Sequence, residues 1–103
     1  MAIDTEIVVD VVTVNKNTIK EPGKFKVVVY NDDTTTMEFV IAMLMSVFRH
    51  SESAAVELTK KIHNDGSAVA GIYTHEIAEQ KVIEATEMSK LNGFSLVIRM
   101  LPE

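Results

Sequence analysis

The sequence predicts an α+β domain of two layers, a small, mainly antiparallel sheet covered by helices on one face. Three observations carry that expectation. Residues 25–30 alternate in hydrophobicity like a half-buried strand, and three later stretches space their apolar residues as helices do. Two short runs rich in β-branched and apolar residues, 68–73 and 94–100, then fall between and after those helices. The order is β-α-α-β-α-β, and an extra N-terminal strand is compatible with it.

Residues 1–23 differ in texture from the rest. The run 7–14, Ile-Val-Val-Asp-Val-Val-Thr-Val, is suited to a strand, Asn15-Lys16-Asn17-Thr18 reads as a turn, and Pro22-Gly23 reads as a boundary. The chain therefore divides into an N-terminal extension, 1–23, either mobile or an edge strand of the sheet, and a domain over 24–103.

In the first strand Phe25, Val27 and Val29 alternate with Lys24, Lys26 and Val28. Thr35 is expected to cap the first helix, with Glu38 completing the S/T-x-x-E capping box. Met37, Val40, Ile41, Leu44 and Phe48 form one apolar stripe and Phe39, Met43 and Val47 a second, which predicts a buried central helix. Arg49 and His50 would close it with positive charge, as a helix C-terminus favours. Ser51 caps a second helix over 52–64, with Ala55, Leu58 and Ile62 inward and Gly66 as the left-handed residue after its end. A second strand over 68–73 leads to Thr74, the cap of a third helix reaching about Leu91. Its core positions are Ile77, Ala78, Val82, Ala85 and Met88, and Asn92-Gly93 stops it. The last strand covers 94–100, with Pro102 limiting its continuation.

Composition narrows the function. A chain of 103 residues fits one domain with a modest core, and 47% hydrophobic residues argue against a disordered body. There is no cysteine, hence no disulfide framework or thiolate zinc site. The net charge is −5 and the ten basic residues are scattered, which argues against nucleic acid as a partner. The start lacks the features of a signal peptide, and no apolar run reaches the roughly 18 residues that span a bilayer. The expectation is a soluble intracellular monomer with no membrane partner and no cofactor.

The chain concentrates its chemistry between 30 and 40, in Tyr-Asn-Asp-Asp-Thr-Thr-Thr-Met-Glu-Phe-Val. An amide and two acids, Asn31, Asp32 and Asp33, stand where a strand gives way to a helix, beside Met37 and Val40. Polar groups fixed next to an apolar hollow suit a ligand of mixed character. A free α-amino group is such a ligand's cation, and its three donors require clustered acceptors.

Asn31-Asp32-Asp33-x-Thr35-x-Met37-Glu38-Phe39-Val40, then Ile62-His63-x-x-Gly66 and Gly71-x-Tyr73-Thr74-x-Glu76-x-Ala78-Glu79-x-Lys81, closely resemble ClpS. That family comprises the adaptors that deliver N-degron substrates to Clp proteases. The resemblance runs from about Phe25 to about Met100, with separated motifs agreeing in order and spacing.

The resemblance implies that Asn31, Asp32 and His63 clamp the α-amino group, His63 as a neutral acceptor. Asp33 and Thr35 would order the loop and meet the peptide backbone. Val29, Tyr30, Met37, Val40, Thr59, Ile62 and Leu96, with Thr35, would wall a pocket for the first side chain. The family commonly has Met where this chain has Thr59, so the pocket is expected to be wider, wetter or differently selective among Phe, Tyr, Trp and Leu. Glu76 and Lys81 match the pair that docks on the N-terminal domain of a ClpA- or ClpC-type unfoldase. The extension before the domain matches a mobile segment needed for delivery. The compartment implied is the cytoplasm, the plastid stroma or the cytoplasm of an infected cell.

Two other readings compete. An enzyme would use Asp32, Asp33 and His63 as a metal or acid–base site, but adjacent residues in extended chain point apart, and His50, His63 and His75 lack an H-x-x-x-H spacing. An interaction domain of the ribosomal-stalk type would have a similar small architecture without needing the Asn-Asp-Asp turn or His63.

Overall fold

The computed structural model describes residues 23–103. The N-terminal extension, with the strand expected over 7–14, lies outside the described residues. The elements run β1 (Lys24–Tyr30), α1 (Met37–Ser46), α2 (Glu52–Asp65), β2 (Ser67–Thr74), α3 (His75–Leu91) and β3 (Val97–Pro102), the order expected from the sequence.

β1 takes the middle of the sheet, where its consecutive Val27, Val28 and Val29 are all buried. The strand order is β2-β1-β3, and β1 is antiparallel to both neighbours. Helix α3 lies across all three strands, α2 against β2, and α1 packs on α2. Val27 and Val29 of the sheet meet Met43 and Leu44 of α1 and the small Ala78 and Ala85 of α3, all fully buried. Phe39 and Phe94 close one end of this core, their ring centroids 5.0 Å apart.

The β1–β2 ladder carries a bulge. Val27 faces Gly71 and Val28 faces Val69, leaving Ala70 as the extra residue. Its carbonyl accepts a hydrogen bond from His50 Nε2 at 2.6 Å. At Gly71 a Cβ would collide with the Tyr73 ring, so this position needs its missing side chain.

Five expectations are corrected. Thr36, not Thr35, caps α1: its side chain accepts from the Phe39 N–H at 3.2 Å. Helix α1 ends at Ser46, before Arg49 and His50, because Val47 and Phe48 leave the helix to stay buried and the chain reverses at Arg49 with φ 61°. Nor is α1 enclosed on all sides, since Met37 and Met45 are 45% and 39% exposed. On α3 the inward stripe is Ala78, Ala85 and Ser89, which leaves Ile77, one position round the helix, at the surface. The last strand also starts later than 94 and runs through Pro102, opposite Phe25 on a sheet edge where a missing N–H is tolerated.

Among the described residues no helix is long and apolar enough to cross a membrane.

Candidate functional site

Three separated segments meet where β1 ends. Tyr30 pairs with Ser67, the first residue of β2, which itself follows directly from the end of α2. Gly66 makes that direct passage possible. It stands at φ 92°, donates to the Ile62 carbonyl at 2.9 Å, and offers its own carbonyl to the Asn31 N–H at 2.8 Å. Asn31 is thereby fastened beside the last turn of α2, which carries His63.

The loop after Asn31 is ordered by its own hydroxyls. Thr35 Oγ1 donates to Asp32 Oδ2, Thr34 Oγ1 donates to the same oxygen at 2.8 Å, and the Thr35 N–H meets the Asp32 carbonyl at 3.1 Å. The Thr35 hydroxyl first, then that of Thr34, holds the Asp32 carboxyl below its ordinary value of 3.8. A carboxylate has about four lone-pair sites, so these bonds leave acceptor capacity for a cation.

Asn31, Asp32, Asp33, Thr35 and His63 line the polar side of a cavity of about 150 Å³; Met37, Val40, Thr59, Ile62 and Leu96 line the rest. Val40, Thr59, Ile62 and Leu96 are each 5% exposed or less, whereas Met37 is 45% exposed and stands at the mouth. A space of about 150 Å³ is the size that accepts a benzene ring in an engineered apolar cavity. Leu96 is held in the wall by Ser89 of α3, whose buried hydroxyl accepts from the Leu96 N–H at 3.2 Å.

Thus the structure brings together, from three parts of the chain, every residue expected at the clamp and most of those expected in the pocket. Two expected wall residues are elsewhere. Val29 is fully buried in the core between sheet and helices, and Tyr30, its neighbour, projects to the other side of the strand; neither lines the cavity. Thr59 lines it, but its hydroxyl donates to the Ala55 carbonyl at 2.8 Å. The hydroxyl is spent on the helix, so the wall here is short rather than wet.

The two residues expected to dock an unfoldase behave differently. Glu76 is exposed in the first turn of α3. Lys81 is half-buried: Nζ donates to the Val47 carbonyl at 2.7 Å and lies 5.9 Å from the centre of the Tyr73 ring. Sequence reasoning missed Thr34, Gly66 and Ser89 as parts of the site. Only Gly66 had a signal, as the glycine ending a helix just after His63.

Among the described residues no group of three or more His, Cys, Asp or Glu is placed to hold a metal ion.

Residues 20–99 match the family described as ATP-dependent Clp protease adaptor protein ClpS. The ATP-dependent Clp protease adapter protein ClpS of Desulfatibacillum aliphaticivorans is 43% identical over 94 residues, covering 91% of this chain and 90% of that protein. That of Myxococcus xanthus is 37% identical over 100 residues, covering 97% and 92%. Among solved structures, Agrobacterium tumefaciens ClpS2 bound to L-phenylalaninamide has a TM-score of 0.78 at 41% identity, covering 81% of this chain and 100% of that one.

Proposed function

The chain belongs to the ClpS family of Clp protease adaptors, and from that premise we propose that it binds proteins by a free α-amino group and a bulky hydrophobic first residue, Phe, Tyr, Trp or Leu. It then hands them to a ClpA- or ClpC-type unfoldase for degradation. The observation that carries this reading is the placement of Asn31, Asp32 and His63 on one side of a cavity whose remaining wall is apolar. The amide oxygen, carboxylate and neutral imidazole accept from an ammonium, and the cavity takes the first side chain. L-Phenylalaninamide, the ligand of the Agrobacterium relative, has the same two features, a free α-amine beside a benzyl group.

Selectivity follows from magnitudes. Burying a Phe or Leu side chain is worth roughly 1.5–3 kcal/mol, whereas a charged first residue would enter an apolar wall unpaired. The chain performs no chemistry in this reading; it acts as a monomer, and unfolding and cleavage belong to the partner protease. Glu76 and Lys81 supply the contact with the unfoldase N-terminal domain.

Fluorescence anisotropy with peptides differing only in residue one tests the reading. Peptides beginning with Phe, Tyr, Trp or Leu bind, those beginning with Asp or Lys do not, and acetylation of the first amine abolishes binding. Equal affinity for the acetylated peptide would overturn it.

A further inference from the structure

The buried stripe of α3 carries one polar residue. Ala78 and Ala85 are fully buried, and Ser89, one turn beyond Ala85, is 1% exposed. Alanine would suit that place better on two counts. It has the higher helix propensity, and it brings no hydroxyl to be taken out of water. A serine here costs stability unless its oxygen is bonded.

That oxygen completes a set of three bonds to the loop after the helix. The Ser89 carbonyl accepts from the N–H groups of Asn92 at 3.1 Å and Phe94 at 2.9 Å, and its hydroxyl accepts from that of Leu96 at 3.2 Å. Between them the chain turns at Gly93, with φ 80°. The two carbonyl bonds are of the kind that closes any helix end, and they do not depend on the side chain. The bond to Leu96 does.

This dependence falls on one side of the cavity. Every other lining residue belongs to 31–40 or to α2, so Leu96 alone supplies the wall from the third segment. It also precedes β3, whose pairing with β1 begins at Val97 opposite Tyr30. Leu96 is 5% exposed, and a backbone donor left unpaired at such a depth is costly. Without the hydroxyl, the segment shifts until its N–H finds water, and the Leu96 side chain shifts with it.

We propose that the Ser89 hydroxyl, acting through Leu96, is a positioning residue that sets which bulky first residues the cavity prefers. This rests on the reading of the cavity as the seat of a first side chain. With the bond in place the wall is fixed, and a ring system larger than the cavity is penalised by overpacking. When the bond is removed the wall yields, so Trp gains relative to Leu.

Ser89→Ala tests this in the full chain, with Ala85→Gly as a control that weakens the same helix without touching the loop. In anisotropy titrations the Trp-to-Leu affinity ratio rises about three- to tenfold in Ser89→Ala, the scale of one hydrogen bond. In Ala85→Gly the ratio keeps its wild-type value although Tm falls. Hydrogen exchange followed by NMR shows the Leu96 amide protected in the wild type and in Ala85→Gly. In Ser89→Ala it exchanges freely, while the amides of Asn92 and Phe94 stay protected. An unchanged ratio in Ser89→Ala overturns the inference, as does an equal rise in Ala85→Gly or a Leu96 amide that stays protected without the hydroxyl. A wild type that holds free and acetylated peptides equally overturns the reading of the site itself, and this inference with it.

Discussion

The backbone N–H of Asn31 donates to the carbonyl of Gly66 at 2.8 Å, and this bond holds the end of β1 against the end of α2. Gly66 stands at φ 92° with no atom near a Cβ position, so replacing it is a matter of backbone strain alone. Gly66→Ala costs about 1–2 kcal/mol, which lowers Tm by roughly 4–8 °C per kcal/mol in a domain this small. Peptide affinity falls as well, because Asn31 and His63 lose their fixed spacing. Gly66→Asn, which tolerates the left-handed region, retains more of both. Thermal denaturation and anisotropy on the same samples check this.

Thr35→Val removes the first cause of the lowered Asp32 pKa. The sign follows from the direction of the shift. A carboxyl depressed in the fold contributes stability above its unfolded value, and that contribution is lost as pH falls through the folded value. Removing the donor moves the Asp32 titration upward toward its unfolded value, so the variant loses part of this contribution at neutral pH and its stability falls less steeply on acidification. Thr35→Ser keeps the donor and the wild-type profile. Carboxyl carbon NMR shifts of Asp32 report the titration directly.

Between neutral pH and about pH 5, Asp32 remains ionised, since its lowered pKa keeps it clear of that window. If His63 offers the ligand an acceptor nitrogen from the cavity rim, His63→Ala weakens peptide binding while His63→Gln, which supplies an amide oxygen in its place, retains more of it. Equal affinity of the wild type and the alanine variant in anisotropy titrations counts against the role of His63.

The hydroxyl of Thr59 faces the Ala55 carbonyl and not the ligand. Thr59→Val therefore preserves the ranking of first residues. Thr59→Met fills part of the cavity, and overpacking of this kind costs about 1–3 kcal/mol. The penalty falls on Trp before Leu, so the ratio of their affinities changes. An identical ranking in the Met variant disposes of Thr59 as a selectivity residue.

Lys81 ties α3 to the end of α1 through the Val47 carbonyl, whereas Glu76 is exposed. Lys81→Met loses a charge-assisted hydrogen bond that is partly solvated, about 1 kcal/mol, and lowers Tm. Glu76→Gln leaves Tm unchanged. If both residues dock the unfoldase, both variants weaken its binding, and Glu76→Gln separates docking from folding.

Much of the fold was legible because it is local. The period of two in β1, the spacing in α2, Gly66 and Asn92-Gly93 each act over a few residues, and each sits where the pattern puts it. The misplacements occurred where local rules offer equal choices. Thr34, Thr35 and Thr36 are consecutive candidates for one cap, and the loop's demand for a donor to Asp32 takes Thr35, leaving Thr36 to the helix. Ile77 obeys the apolar pattern of α3, yet the sheet accepts the small side chains of Ala78 and Ala85 against it instead.

By itself the sequence determined the kinds and order of elements and the residue types of the site, since propensity, capping and turn chemistry are properties of neighbouring residues. Only the tertiary structure decided that positions 31, 63 and 96 share one cavity, that Val29 does not, and that the Thr59 hydroxyl turns away. Those outcomes depend on strand register and on how helices settle on a sheet, where the interacting atoms are far apart along the chain.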